Sequence, residues 1–163
     1  MTSKYISNKE LGRFNLFYRP TTLPNPDYIK LDELPPLDVI FDDPDVFYAF
    51  IFIKYEWRDV GHWCLLIKHA HDHFEWFDCL AKPVPEQLKY RIEEYCQIHD
   101  MQVSLFSFSR PLMHRDNWIC GKWCMFRVMT LPKTPTEFTE KIEQIEEVMT
   151  PDELVDFTVN FRI

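Results

Sequence analysis

Gly61-His62-Trp63-Cys64-Leu65-Leu66-Ile67-Lys68-His69-Ala70-His71-Asp72-His73-Phe74-Glu75-Trp76-Phe77-Asp78-Cys79-Leu80 is the stretch on which the fold turns. Trp63 to His69 is an apolar run with strand character, Phe74 to Leu80 is another, and the short segment Ala70-His71-Asp72-His73 separates them. This pattern predicts a hairpin. Strand side chains alternate faces, so His62, Cys64 and Leu66 share one face of the first strand, and Phe74, Trp76 and Asp78 share one face of the second. Pairing symmetric about Ala70 sets His62 opposite Asp78. Cross-strand Cβ atoms are then about 5 Å apart, close enough for a carboxylate to accept a hydrogen bond from an imidazole. A slip of one residue would send Asp78 to the other face, so the expectation depends on register.

Downstream, Ile119-Cys120-Gly121-Lys122-Trp123-Cys124-Met125-Phe126 has helical spacing and opens at Cys120. A thiol in the first turn of a helix feels the partial positive charge of unpaired backbone N–H groups, which favours thiolate. Gly121 leaves the attacking side of the sulfur uncrowded. Cys120 and Cys124, four apart beside Trp123 and Phe126, also fit buried apolar positions on one helix face, and for Cys124 that reading is preferred. For Cys120 the two readings stand level until His62 and Asp78 are considered. A nucleophilic thiol needs a base, and the base needs an acceptor that fixes its ring. Cys120, His62 and Asp78 can fill those three roles.

Those residues resemble the adenovirus-type maturation proteases and their relatives, the SUMO-specific proteases and the proteases of large DNA viruses. The shared features are the order His, Asp, Cys; the buried run Phe47-Tyr48-Ala49-Phe50-Ile51-Phe52-Ile53 ahead of Gly61-His62-Trp63; Trp76-Phe77-Asp78; and a helix opening at Cys120-Gly121. The resemblance covers roughly residues 46 to 130 and implies a Cys-His-Asp triad. Papain-like enzymes run in the opposite order, cysteine first. It also implies that Trp63 packs beside the imidazole and roofs the substrate channel, although a place in the sheet core suits it equally. Trp118 is a further channel candidate. Two positions depart from the family pattern. Ile119 stands where an aspartate is usual, and no glutamine lies between Gln102 and Cys120 to donate to the oxyanion. The candidate donors are Asn117, preferred as the closer amide, with His114 as the alternative and the Cys120 backbone N–H contributing in either case.

The remaining chain fits one α+β domain over residues 1–163: a mainly antiparallel central sheet, the nucleophile-bearing helix packed against it, and flanking helices. Ser7 or Asn8 caps a short helix through Phe14, and Pro20, Pro24, Pro26, Pro35 and Pro36 punctuate an extended stretch. Pro85 opens a helix through about Ile98, and Met101 to Phe108 reads as a returning strand. The helix from Cys120 stops before Pro132. Thr134-Pro135-Thr136-Glu137 is a capping box for a helix through Met149, and Thr150-Pro151-Asp152-Glu153 repeats the device.

Composition narrows the function classes. With 46% hydrophobic and 16% aromatic residues, 163 residues suffice for one core. No signal peptide is evident and no apolar run approaches the roughly 20 residues needed to span a bilayer, so no membrane association is expected. Five cysteines without scaffold spacing suit a reducing setting, the host-cell interior or a virion. The net charge is −8, and Thr136 to Asp156 holds eight acids and one lysine, which reads as the solvated face of surface helices. No nucleic-acid binding is expected from that balance. His69, His71 and His73, with Asp72, Cys64 and Cys79 nearby, lack paired Cys-x-x-Cys spacing, so no metal and no other cofactor is assigned. Three functions are consistent with these features. The first is an endopeptidase cleaving viral structural protein precursors during particle maturation. The second is a protease acting on the tail of a ubiquitin-like modifier, and the third a non-catalytic module of the same fold. The sequence specifies neither the cleaved bonds nor an activating peptide.

Overall fold

The 61–80 stretch folds as a hairpin, with strands Gly61–Ala70 (β3) and His73–Phe77 (β4) joined by a turn at His71-Asp72. The structure, a computed structural model, describes residues 10, 11, 14, 28–54, 61–114 and 119–162. Ahead of the hairpin come Ile29–Lys30 (β1), a single 3-10 turn at Leu31–Glu33, the short helix Leu37–Ile40 (α1) and Tyr48–Lys54 (β2). After it come Glu86–His99 (α2), Ser104–Ser107 (β5), Cys120–Met129 (α3), Pro135–Glu146 (α4) and Pro151–Arg162 (α5). Glu10, Leu11 and Phe14 are helical, while the caps expected at Ser7 or Asn8, and Pro20, Pro24 and Pro26, lie outside the described residues.

The five strands run in the order β1-β2-β3-β4-β5. Only the two central pairings, β2 with β3 and β3 with β4, are antiparallel; β1 joins β2 and β5 joins β4 in parallel. The sheet is therefore mixed where a mainly antiparallel one was expected. The reason at β5 is α2, which crosses over between β4 and β5 and so returns the chain in the same direction. The hairpin register also differs. Leu65 faces Phe77, Leu66 faces Trp76 and Ile67 faces Glu75, with an irregularity between Lys68 and Ala70 beside the turn. Extending that pairing places Asp78 opposite Cys64, with His62 one diagonal step away. Because the offset is two residues, each side chain keeps its predicted face and only its partner changes.

Alternation along β2, β3 and β4 buries both faces. Ala49, Ile51, Cys64, Leu66, Phe74 and Trp76 form one core with Leu37 of α1 and with Leu88 and Tyr95 of α2. Tyr48, Phe50, Leu65, Ile67 and Phe77 face the other way and pack under α3, α4 and α5, joined by Leu11 and Phe14. Residues Cys120 to Val128 of α3 are all buried, so this helix is central rather than amphipathic. Its two cations, Lys122 and Arg127, are nearly inaccessible, and each has an acidic partner. α4 starts at the expected capping box: Glu137 N–H donates to Thr134 Oγ1 at 3.2 Å and Thr134 N–H to Glu137 Oε1 at 3.0 Å. The acidic C-terminal stretch is not only a solvated face, since Asp156 accepts from Lys122 Nζ at 2.6 Å and Asp152 from Trp123 Nε1 at 2.7 Å. Gly61, which opens β3, sits so close to the Ile53 carbonyl and the Phe52 ring that a Cβ would collide with both. Glycine is needed immediately before His62.

Candidate active site

His62 lies at the start of β3, and Asp78 directly follows the last residue of β4, both 3% exposed at the open end of the hairpin. His62 Nε2–H donates to Asp78 Oδ1 at 2.6 Å, and the backbone N–H of Leu80 donates to the same oxygen at 2.9 Å. With Nε2 facing the carboxylate, Nδ1 is the ring atom left for a further partner. Cys120, the first residue of α3, lies close enough to the imidazole to act on its charge. The Trp63 backbone N–H also donates to Cys120 Sγ at 3.4 Å. One turn on, the Cys124 thiol donates to the Trp63 carbonyl at 3.5 Å. α3 is thus laid across β3 at Trp63, beside His62.

The electrostatics follow from these contacts. Burial opposes charge on the His62 ring, but the hydrogen bond it donates to Asp78, the neighbouring Cys120 and the electrostatic effect of both outweigh it, so its pKa is raised from 6.5 to about 9. The ring carries a proton at neutral pH. Cys64, Cys79 and Cys124 go the other way: burial pushes each thiol well above its ordinary value, and nearby anions add to this. These three remain neutral core thiols, as expected for Cys124.

A ring nitrogen of His62, Sγ of Cys64 and a carboxylate oxygen of Asp78 fall within 4.8 Å of one another, close enough to suggest metal ligands. The 2.6 Å separation of imidazole and carboxylate argues against it. Two ligand atoms each about 2.0 Å from a tetrahedral zinc lie about 3.3 Å apart, so this contact has the length of a charged hydrogen bond instead. The turn histidines have separate partners: His69 Nε2–H donates to Glu75 at 2.8 Å, His71 lies 3.1 Å from the Tyr95 hydroxyl, and His73 lies 3.6 Å from Asp72.

The other predicted site residues divide. Trp63 points away from His62, as strand neighbours must, toward the α3 side, where its half-buried ring packs edge-on against Tyr28 and Phe50 and tilted against Phe52. Its ring thus belongs to an aromatic cluster with Tyr28, Phe50 and Phe52. His114 is exposed, and its backbone N–H donates to Asp152 Oδ2 at 2.9 Å. Asn117 and Trp118 lie outside the described residues. A cavity of about 350 Å³ opens between the β5 region and α4, but no triad residue lines it.

Sequence reading missed the loop anchors. The backbone N–H groups of Leu112 and Met113 both donate to the carbonyl of Cys79, at 2.8 and 3.1 Å, which ties this part of the chain to the residue after Asp78. It also missed the pairing of Glu75 with Arg127. Glu75 accepts from Arg127 Nε at 2.9 Å and Nη2 at 2.8 Å, with both side chains fully buried. A charge in the middle of each apolar run was the available signal.

No protein-family model matches the chain. It is similar to "Uncharacterized protein V9" of the Sputnik virophage, with 26% identity over 116 residues, covering 60% of this chain and 65% of that protein. No helix among the described residues is long and apolar enough to cross a membrane.

Proposed function

We propose that this protein is a cysteine endopeptidase that cleaves viral structural precursor proteins during particle maturation, working in the virion and host-cell interior. The observation that carries the reading is the buried His62–Asp78 contact at 2.6 Å, beside a Cys120 whose sulfur accepts from the backbone N–H of Trp63, the residue after His62. In the proposed reaction His62 takes the proton of Cys120, and Asp78 fixes the ring. The thiolate attacks the scissile carbonyl carbon and the carbonyl π electrons move to oxygen. The Cys120 backbone N–H, at the start of α3, stabilises that oxyanion together with a donor from Asn117 or His114. His62 then gives its proton to the departing amine and the C–N bond breaks, leaving a thioester on Cys120. Water, deprotonated by His62, attacks the thioester, and collapse of the second tetrahedral species releases the acid and restores the pair.

Similarity to a virophage protein favours the viral setting, and the half-buried aromatic cluster around Trp63, whose backbone N–H contacts the Cys120 sulfur, supports a channel for extended peptide. The test is labelling by an electrophilic peptide, followed by mass mapping of the modified cysteine. Rapid modification of Cys120 is expected, lost in Cys120→Ala and slowed at least about 1000-fold in His62→Ala. Equal labelling of His62→Ala would sink the triad. Cleavage of a capsid precursor, set against that of a modifier precursor, then reads the substrate.

A further inference from the structure

Trp63 belongs to β3, but its backbone polar groups face away from β2. Lys68 N–H donates to the Phe47 carbonyl, so every second pair from there, Ala49 with Leu66, Ile51 with Cys64 and Ile53 with His62, carries the ladder bonds between β2 and β3. Trp63 lies between two such pairs and turns its N–H and C=O to the opposite side, where β4 would continue. The pairing of β4 with β3 ends at Phe77, opposite Leu65, and two residues on the Cys79 carbonyl is already held by Leu112 and Met113. Two thiols of α3, one turn apart, take the vacated place. Trp63 N–H donates to Cys120 Sγ at 3.4 Å, and the Cys124 thiol donates to the Trp63 carbonyl at 3.5 Å.

We propose that the Trp63 backbone N–H is the donor that stabilises the Cys120 thiolate, and that Cys124 is the positioning residue that holds α3 on Trp63 for that purpose. The inference rests on the cysteine-protease reading, and it gives Trp63 a role through its backbone rather than its ring. A hydrogen bond to the charged form of a group favours that form, and a bond to an ionised acceptor is about twice as strong as a neutral one. The other titratable groups around Cys120 are His62 and Asp78 at the open end of the hairpin and the thiols of Cys64, Cys79 and Cys124. Lys122, two residues on, is held by Asp156 at 2.6 Å. Burial pushes the Cys124 thiol well above its ordinary value, so it stays a donor while Cys120 ionises. With both polar groups of Trp63 engaged, α3 cannot slide along β3 without losing the two bonds together.

The pH dependence of iodoacetamide alkylation at Cys120, read by mass mapping in the full chain, separates this role from a general structural one. The thiolate displaces iodide, so the rate follows the ionised fraction. Cys124→Ala should move the midpoint up by about one pH unit, roughly a tenfold smaller ionised fraction below it and on the order of one hydrogen bond. Cys124→Ser, which keeps a donor, should recover most of that shift. Val128→Ala, a loss of packing one turn further along the same face of α3, should lower the melting temperature and leave the midpoint in place. A second arm replaces Trp63 by its α-hydroxy acid, which exchanges the N–H for an ester oxygen, and serves also if Cys124→Ala does not fold. It should raise the midpoint at least as far. No shift in either arm, no recovery with serine, or an equal shift in Val128→Ala would overturn the roles given to Trp63 and Cys124 while leaving the triad in place. A midpoint that His62→Ala leaves unmoved would overturn the enzyme reading and this inference with it.

Discussion

The β3–β4 hairpin and α3 build two buried polar clusters from the same three elements, one histidine from β3, one carboxylate at or near β4 and one residue from α3 in each. At the open end these are His62, Asp78 and Cys120; toward the turn they are His69, Glu75 and Arg127. Their saturation differs. Arg127 donates to both oxygens of Glu75, to Thr130 Oγ1 at 3.0 Å and to the Lys133 carbonyl at 2.7 Å, and its guanidinium lies 4.8 Å from the centre of the Phe138 ring. Such a cation cannot release a proton, and four of its five N–H donors are engaged. The other cluster ends instead in a sulfur whose backbone contact is a 3.4 Å hydrogen bond, next to a ring that holds a movable proton. One cluster fastens α3 to the sheet, and the other can do chemistry.

The largest effect that would break this comparison is expected at Asp78. Asp78→Asn keeps the side chain's shape but can turn an N–H toward His62, which stabilises the wrong tautomer, and acylation by p-nitrophenyl acetate should fall about 10⁴-fold. Midpoint denaturation in urea should move little by comparison. Activity close to wild type would mean that Asp78 does not orient the ring.

Glu75→Gln should do the reverse. Removing one partner of a fully buried ion pair leaves an uncompensated charge and costs about 3–5 kcal/mol in urea unfolding, while protein that remains folded keeps its acylation rate. The double replacement Glu75→Leu with Arg127→Met should be less damaging than Glu75→Gln alone, since no charge is stranded. If acylation fell with stability unchanged, the second cluster would have a direct part in catalysis.

The pH dependence of stability distinguishes the clusters by sign. His62 has a folded pKa near 9 against 6.5 in the unfolded chain, so its extra stability is fully present below about pH 6.5 and is lost as pH rises through about 9. Burial alone would raise the Glu75 pKa, but the His69 hydrogen bond and the Arg127 charge bring it below its usual 4.5. Its contribution is present above pH 4.5 and is lost as pH falls through the lowered value. Thermal melts across pH should show His62→Ala flattening the alkaline limb and Glu75→Gln the acid limb. Amide hydrolysis should decline above about pH 9, because His62 must be protonated to release the amine.

The candidate triad was more legible in the sequence than the Glu75–Arg127 cluster, for a physical reason. His62, Asp78 and Cys120 stand at element ends, where a strand start, the residue past a strand and the first residue of a helix can be read from apolar runs and spacing. Glu75 and Arg127 sit within such runs, where a charge reads as a defect until its partner is known, and pairing across 52 residues is a tertiary fact. The shifted register has the same origin. Face is set by alternation, which the sequence displays, whereas partner depends on the turn at His71-Asp72 and the irregularity beside it. Parallel pairing at β5 follows from the crossover helix α2, which an apolar run read on its own does not reveal. Asp152 and Asp156 looked like solvated acids because the cations and N–H groups they meet lie on other elements.

The smallest predicted effect tests whether the two histidines are equivalent. His69 is about one-fifth exposed and contributes one hydrogen bond to a carboxylate that Arg127 already satisfies twice. His69→Ala leaves Glu75 paired and lets water reach the vacated oxygen, so the loss should be about 1 kcal/mol in urea unfolding, the net worth of one hydrogen bond. Acylation should not change. His62→Ala, by contrast, removes the proton carrier between Asp78 and Cys120 and should stop acylation at any pH where the protein is folded. Were His69→Ala to cost as much as Glu75→Gln, the histidine rather than the arginine would be the principal partner of Glu75. The turn-side cluster would then be a second polar site with an ionisable ring at its centre, and the contrast between a saturated cluster and a reactive one would no longer hold.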